Sequence, residues 1–122
     1  MSDQKTLYET DPEFMERLRY FAAEEVVKEP EQQLDEVTRH LAILATLLGC
    51  QGKEVFAHLL PRALDAGVTP VMVKETVYQA VDYLGIGRVL PFLEQTNRVL
   101  TARGVSLPLA GQATTTMENR LE

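Results

Sequence analysis

The sequence predicts an all-α domain of about five helices. Apolar residues recur at helical spacing along most of its 122 residues. Two capping residues are followed directly by proline, at Asp11-Pro12 and Thr69-Pro70, and each pair is typical of a helix start. No alternating polar and apolar segment is long enough to indicate a strand. A compact helical fold therefore follows from pattern alone.

The first predicted helix begins at Asp11-Pro12, where proline loses no hydrogen bond because the first helical amide has no partner anyway. It ends at residues 28–30, where Lys-Glu-Pro stops the run. Its apolar side consists of Phe14, Leu18, Phe21, Ala22 and Val26. The second helix begins at Asp35 and ends before Gly49. Because its residues 41–48 are apolar on nearly every side, we expect this helix to be buried all round.

The remaining predicted helices span residues 52–66, 70–83 and 89–104. Gly67 is the expected stop of the third helix, since glycine readily adopts the conformation that ends a helix. Gly85-Ile86-Gly87 separates the fourth helix from the fifth. We expect residues 1–104 to form one domain.

Residues 105–122 are predicted to form an irregular tail, since Leu107-Pro108-Leu109 and three consecutive threonines show no sustained period. The tail is either a disordered terminus or an arm across a neighbouring subunit. A chain this short, with an apolar second helix, would gain stability by self-association.

Composition excludes several classes of protein. One cysteine forms neither an intrachain disulfide nor a site with several cysteine ligands. The longest apolar stretch is far shorter than the roughly 20 residues of a membrane span, and the N-terminus lacks the pattern of a secretion signal. We therefore expect a cytoplasmic protein without membrane association.

The net charge of −6 is unevenly distributed. Residues 1–36 hold 11 acidic and 4 basic side chains, whereas residues 37–122 hold 7 and 8. The acidic excess is typical of a solvated helix face. No basic stripe exists, so nucleic acid is not an expected partner.

Glu54 and His58 form the first candidate catalytic pair. They are four residues apart, so they share one face of the third helix within hydrogen-bond reach. A carboxylate beside an imidazole favours its charged form and fixes the ring, which suits acid–base work. The alternative is a pair that supports the helix surface. Pro61 is expected to kink this helix one turn later, shaping a pocket or an exposed bend.

Cys50 is the rival candidate. A thiol near a helix N-terminus is a possible reactive thiolate, which would allow a one-cysteine peroxidase or a redox sensor. The default expectation is a buried, inert cysteine. It lies eight residues from His58, so one helix does not pair the two.

Polar residues of the fourth helix form a third candidate group. Glu75, Gln79 and Asp82 follow one edge beside Tyr83, and this edge is either part of a site or simply solvated. The sequence has no glycine-rich phosphate-binding loop between a strand and a helix. Neither histidine is accompanied by the further residues that a metal site would need as ligands. We expect no metal and no cofactor.

The order of several short motifs resembles the carboxymuconolactone decarboxylase family, which includes the alkylhydroperoxidase D group. The resemblance covers residues 34–104. It rests on His58, the run Ala63-Leu64-x-x-Gly67-x-Thr69, Glu75 and Tyr83-x-Gly85. It implies an alkylhydroperoxidase D-like helical fold that assembles into homotrimers or homohexamers, with active sites near subunit contacts, and it places Glu75 and Tyr83 near the pocket.

The peroxidase branch of this family carries Cys-x-x-Cys-x-x-x-His. Here the two cysteine positions hold Gln51 and Glu54, and the upstream glutamate position holds Arg39. A two-thiol cycle is therefore excluded within one chain. The carboxylate in place of the thiol indicates a shift towards proton transfer at His58.

These residues predict a cofactor-free decarboxylase, or another acid–base enzyme, for a small carboxylated or lactone substrate. His58 would donate the proton, Glu54 would tune it, and Glu75, Gln79 and Tyr83 would orient the substrate. Arg39 or Arg88 would hold its carboxylate. The alternatives are a peroxidase or sensor that uses Cys50, and a non-catalytic oligomeric module that binds small molecules.

Overall fold

The structure is a computed structural model, and it describes residues 3–27 and 32–110. All regular secondary structure in these two ranges is helical, without a strand. The predicted all-α class is confirmed. None of the helices in these ranges combines the length and the apolar character that crossing a membrane requires.

The chain divides into two compact units, Met1–Asp35 and Glu36–Glu122. In the first unit, α1 (Asp3–Thr10) leads into α2 (Pro12–Tyr20), which continues as a π-helical turn (Phe21–Glu25). The proline start of α2 agrees with the sequence, whereas α1 was not indicated by it. The predicted stop at residues 28–30 lies outside the described residues.

Asp11 does not cap α2 with its side chain, contrary to expectation. Its amide donates to Leu7 O at 2.7 Å, and its carboxylate accepts a hydrogen bond from the Thr10 hydroxyl at 2.7 Å. Asp11 therefore belongs as much to the end of α1 as to the start of α2. Its carboxylate, which would have capped α2, is hydrogen-bonded to Thr10 of α1 instead.

The apolar side predicted for the first helix is largely exposed. Met15 is buried at 7% exposure, but Phe14 is 65% exposed. Leu18, Phe21 and Val26 are exposed as well. The amphipathic pattern is real, yet the first unit by itself buries only Met15 of this face.

The second unit contains five helices: α3 (Glu36–Gly49), α4 (Lys53–Asp65), α5 (Pro70–Gln79), α6 (Val81–Leu84) and α7 (Ile86–Ala102). The predicted fourth helix is divided at Ala80, whose amide bonds to Val77 O, three residues back, instead of four. The tighter turn ends α5 and starts α6 in a new direction.

Local signals account for the helix ends. The Thr69 hydroxyl accepts a hydrogen bond from Met72 N at 3.1 Å, which caps α5 as predicted. Gly67 ends the turn after α4 with φ +113°, and Gly85 separates α6 from α7 with φ +90°. Residues that carry a side chain rarely adopt these backbone angles, so glycine is required at both positions.

The core of the second unit lies among α3, α4, α5 and α7. The Phe56 and Phe92 rings pack edge to face with centroids 5.2 Å apart, which fixes α4 against α7. The Arg103 guanidinium bonds to Asp65 at 2.6 Å and joins the ends of the same two helices. The buried cluster comprises Leu44, Leu48, Phe56, Leu60, Ala63, Val68, Val73, Val77, Val89 and Phe92.

Helix α3 is not buried all round, and that prediction is wrong. Leu44 and Leu48 are buried, whereas Ala42, Ile43 and Ala45 are exposed. A helix at the edge of a small bundle has neighbours on one side only, so its second apolar side faces outward. This outward side is a large apolar surface of the second unit.

The segment after α7 is irregular as far as residue 110, and Leu109 is buried within it. Residues 111–122, on which the alternatives of a disordered tail and a subunit-crossing arm depend, lie outside the described residues. Both alternatives stay open.

Candidate active site

The candidate residues fall into two groups on different helices. Glu54 and His58 lie on α4, and Glu75 and Gln79 lie on α5. Tyr83 lies on α6. The packing of α4 explains the direction of its polar residues, because Phe56, Leu60 and Ala63 are buried in the core and His58 is on the exposed side.

The His58 imidazole favours its neutral form. Partial burial lowers its pKa below the ordinary 6.5, and the positive charge of Arg62, one turn further along α4, lowers it as well. At neutral pH the ring is therefore ready to accept a proton. This reverses the expected direction, in which Glu54 would have favoured the charged ring.

The Glu54 carboxylate does not act as the hydrogen-bonding or ionic partner of His58. Within the described residues no hydrogen bond or ion pair joins the two side chains, although their spacing on α4 is as predicted. Both residues are exposed, so water solvates the carboxylate and the pair gains little by closing. The pKa of His58 is lowered first by partial burial and then by the charge of Arg62, its basic neighbour on the other side.

Arg62 was missed by the sequence reasoning. It lies four residues after His58 on the same helix, and this spacing was the available signal. The acid three residues later, Asp65, is bonded to Arg103. Glu54, His58 and Arg62 thus form one exposed row of an acid, a neutral base and a cation.

Pro61 lies inside α4, as predicted. Because proline has no amide hydrogen, the carbonyl of Ala57 receives no helical hydrogen bond from it. That carbonyl belongs to the residue next to His58. The helix continues through to Asp65, so the proline alters one turn without ending the element.

Two shallow grooves lie on the outward side of α3 and α5. The first, of about 440 Å³, includes Glu75 and Gln79. The second, of about 600 Å³, includes Gln79 and Tyr83. Thr76, which no sequence pattern indicated, lines both. Glu75, Gln79 and Tyr83 therefore follow the edge of two adjoining grooves, with Glu75 on the first, Tyr83 on the second and Gln79 on both.

Apolar residues form most of the floor of the larger groove. They come from α3, from the junction of α5 and α6 and from the end of α6, and they include Leu48 of the core: Leu41, Ala42, Ala45, Leu48, Ala80 and Leu84. Tyr83 is 87% exposed at the rim. Neither groove includes His58 or Glu54.

The other predicted polar residues lie apart from this edge. Asp82 is exposed on α6 and lines neither groove, so the predicted edge does not extend to it. Arg39 donates a hydrogen bond to Glu36, one turn earlier on α3. One of the two arginines proposed to bind the substrate carboxylate is therefore already bonded to a carboxylate of the chain. Arg88 is exposed near the start of α7.

Cys50 is exposed, so the expectation of a buried thiol is wrong. Its amide donates to Thr46 O at 3.0 Å, and its Sγ lies 3.8 Å from Leu47 O. Cys50 therefore lies at the carboxyl end of α3 and not at the N-terminus of α4, which begins after Gly52. It is exposed because α3 has ended and the tight turn to α4 leaves it outside the core.

The described ranges contain no group of three or more histidine, cysteine, aspartate or glutamate side chains arranged to hold a metal ion. What they do contain is an imidazole that favours its neutral form on α4, and two adjoining grooves whose linings include the Glu75 carboxylate, the Gln79 amide and the Tyr83 phenol. Both arrangements suit proton transfer and hydrogen bonding to a small molecule.

The helical fold and the order of these residues agree with the comparison to known families. The profile of the carboxymuconolactone decarboxylase family matches residues 12–97, and the chain belongs to that family. No curated protein and no solved structure gives a match. The family and fold predicted from the sequence are therefore confirmed.

Proposed function

We propose that the protein catalyses cofactor-free proton transfer on a small carboxylated substrate, with decarboxylation as the leading reaction and His58 as the acid–base group. The observation that carries this proposal is an exposed imidazole that favours its neutral form, next to a cation, in a family named for a decarboxylase. A neutral imidazole takes a proton and the imidazolium returns it, so one side chain serves both directions.

In a decarboxylation, the bond between the substrate carbon and its carboxylate breaks, and CO2 leaves. The electron pair passes into the neighbouring carbonyl as an enolate. The enolate carbon then takes a proton from the His58 imidazolium, which forms when the neutral ring accepts a proton from solvent and which becomes the neutral base again. In a proton shift without loss of CO2, neutral His58 first removes the proton and then returns it at another carbon.

Self-association is part of the proposal. Neither of the two grooves contains His58, so within the described residues the α4 candidates lie outside both grooves. The apolar floor of the larger groove is an exposed surface that a second copy would cover. In a homotrimer or homohexamer, the groove of one copy would complete a site with α4 of another, and Glu75, Gln79 and Tyr83 would orient the substrate.

The test is release of CO2 from carboxymuconolactone by the wild type and by His58→Gln. We expect the variant to lose at least about tenfold in kcat while its helix content and native mass are unchanged, because general acid–base groups contribute factors of this size or larger. Thr101→Gln, at an exposed position on α7, serves as the surface control and should match the wild type.

The pH profile shows which direction limits the rate. If His58 removes a proton first, kcat/KM rises with pH through a pKa below 6.5, because the neutral ring is the active form. If donation limits, kcat/KM falls with pH through the same pKa. A profile that is flat in this range, or equal kcat for His58→Gln and wild type, contradicts the proposal. Binding without turnover by the wild type would favour the non-catalytic module.

A peroxidase or redox sensor that uses Cys50 is the second candidate, and the exposure of the thiol favours it. In that reaction the thiolate attacks the peroxide O–O bond and, with one proton, gives a sulfenic acid and water; two external thiols then reduce the sulfenic acid to the thiol and leave as a disulfide, with release of water. Rapid gain of one oxygen, or a disulfide-linked dimer, in the intact mass under excess hydrogen peroxide would support this reading. Unchanged mass over many minutes, or continued peroxide consumption by Cys50→Ser, would remove it.

A further inference from the structure

We propose that Arg62 binds the carboxylate of the substrate and holds it beside His58. This inference rests on the proposed function, and it assigns a role that the sequence reasoning gave to Arg39 or Arg88. It makes Arg62 the residue that determines specificity for an anionic substrate.

The geometry of α4 supports this role. Residues four apart on a helix have Cβ atoms about 5–6 Å apart on one face, so a carboxylate held at Arg62 places the adjacent carbon near the His58 ring. Both side chains are on the exposed side of the helix, whereas Phe56 and Leu60 hold its other side in the core.

The partners of the neighbouring charges leave Arg62 available. Asp65, three residues on, is bonded to Arg103 at 2.6 Å. Within the described ranges the structure shows no ion pair for Arg62, while Arg39 donates to Glu36. A guanidinium binds a carboxylate through two parallel hydrogen bonds, so it fixes both the position and the orientation of the ligand.

The charges along α4 also determine the orientation in which an anionic substrate would bind. Glu54 lies one turn before His58 and repels an anion, whereas Arg62 lies one turn after it and attracts one. A monocarboxylate would therefore bind with its anionic end towards Arg62. The adjacent carbon, where a proton is removed or added, then lies over the imidazole.

The test uses acetate as the probe and NMR of the imidazole protons as the readout. The chain has two histidines, and His40 on α3 serves as the internal reference. In the wild type, acetate at constant ionic strength should shift the His58 resonances and raise the pKa of His58, because the anion offsets the Arg62 charge. His40 should not respond.

Arg62→Gln should weaken the acetate response of His58 by about two- to fivefold, as expected for an exposed ion pair. Without acetate, the pKa of His58 in this variant should be higher than in the wild type. Arg98→Gln is the matched control, because Arg98 is an exposed arginine on α7 bonded to Gln95. It should behave like the wild type.

An equal acetate response in Arg62→Gln and wild type would overturn the proposal, and so would a wild type in which acetate leaves His58 unchanged. These results are independent of turnover. If acetate binds through Arg62 but carboxymuconolactone is not decarboxylated, the anion site stands and the proposed reaction is wrong. If CO2 is released and Arg62→Gln keeps the wild-type KM, the reaction stands and Arg62 has no part in it.

Discussion

At the scale of single residues, Lys74 on α5 is a charged side chain placed in the core. It is 6% exposed, and its Nζ donates a hydrogen bond to Asn97 Oδ1 on α7. The bond joins two of the four helices around the core. Burial lowers the pKa of Lys74 below its ordinary 10.5, because the charged form loses water that one amide oxygen does not replace.

Because Lys74 is buried, the free energy of unfolding depends on pH in the alkaline range. The folded protein holds the Lys74 proton less tightly than the unfolded chain, so between the lowered pKa and 10.5 the unfolded state binds more protons. The free energy of unfolding should therefore rise with pH in that window. Below the lowered pKa the folded state carries the full cost of a buried ammonium group.

Lys74→Met should remove this rise, because methionine fills a similar volume without a charge. Urea unfolding at a fixed protein concentration, from pH 7.5 to 10.5, measures the free energy at each pH. Lys53→Met is the control, since Lys53 lies at the start of α4 and is only half-buried. Equal pH slopes in wild type and Lys74→Met would show that Lys74 does not contribute.

Sequence reasoning identified His58 but not its environment. The helical spacing of Glu54 and His58 was readable, whereas the effect of Arg62 on the ring requires knowledge of which charges are solvated and which are held close. No sequence pattern indicated that Lys74 is buried, since a lysine in an amphipathic helix normally lies on the solvent-exposed side. Burial is a property of the packed structure and not of spacing.

At the scale of elements, α3 has two apolar sides, and the other described helices of the second unit cover only one. Its inner side contributes Leu44 and Leu48 to the core, while Ala42 and Ala45 line the larger groove. The uniform hydrophobicity of the helix therefore predicts more burial than one copy supplies. A second copy over the groove would supply the rest.

We expect the native protein to have a mass of three or six times the 13.7 kDa chain, as the family resemblance implies. Ala45→Glu should lower that mass and reduce turnover with it, because a carboxylate at the floor of the groove is costly to bury. Ala102→Glu, at an exposed position at the end of α7, is the control and should keep the wild-type mass. Light scattering after size-exclusion chromatography measures both. A 13.7 kDa wild type would contradict self-association.

At the scale of the whole molecule, the chain keeps the family fold without the two-cysteine motif of the peroxidase branch. The match covers residues 12–97, although Gln51 and Glu54 stand at the cysteine positions. The buried cluster consists of residues that fill space, so it tolerates changes in the exposed turn between α3 and α4. The chemistry of the site can therefore change while the fold is retained.

The helical class, most helix starts and stops, and the family were predictable from the amino-acid sequence. These depend on local signals, such as Thr69-Pro70 and Gly85, that act within a few residues. Helix packing was needed to show that the outer side of α3 lines a groove, that Cys50 is exposed and that Arg62 rather than Glu54 affects the pKa of His58. The reason is that exposure and electrostatic environment depend on which helices pack together, and this is not encoded in the spacing within any one of them.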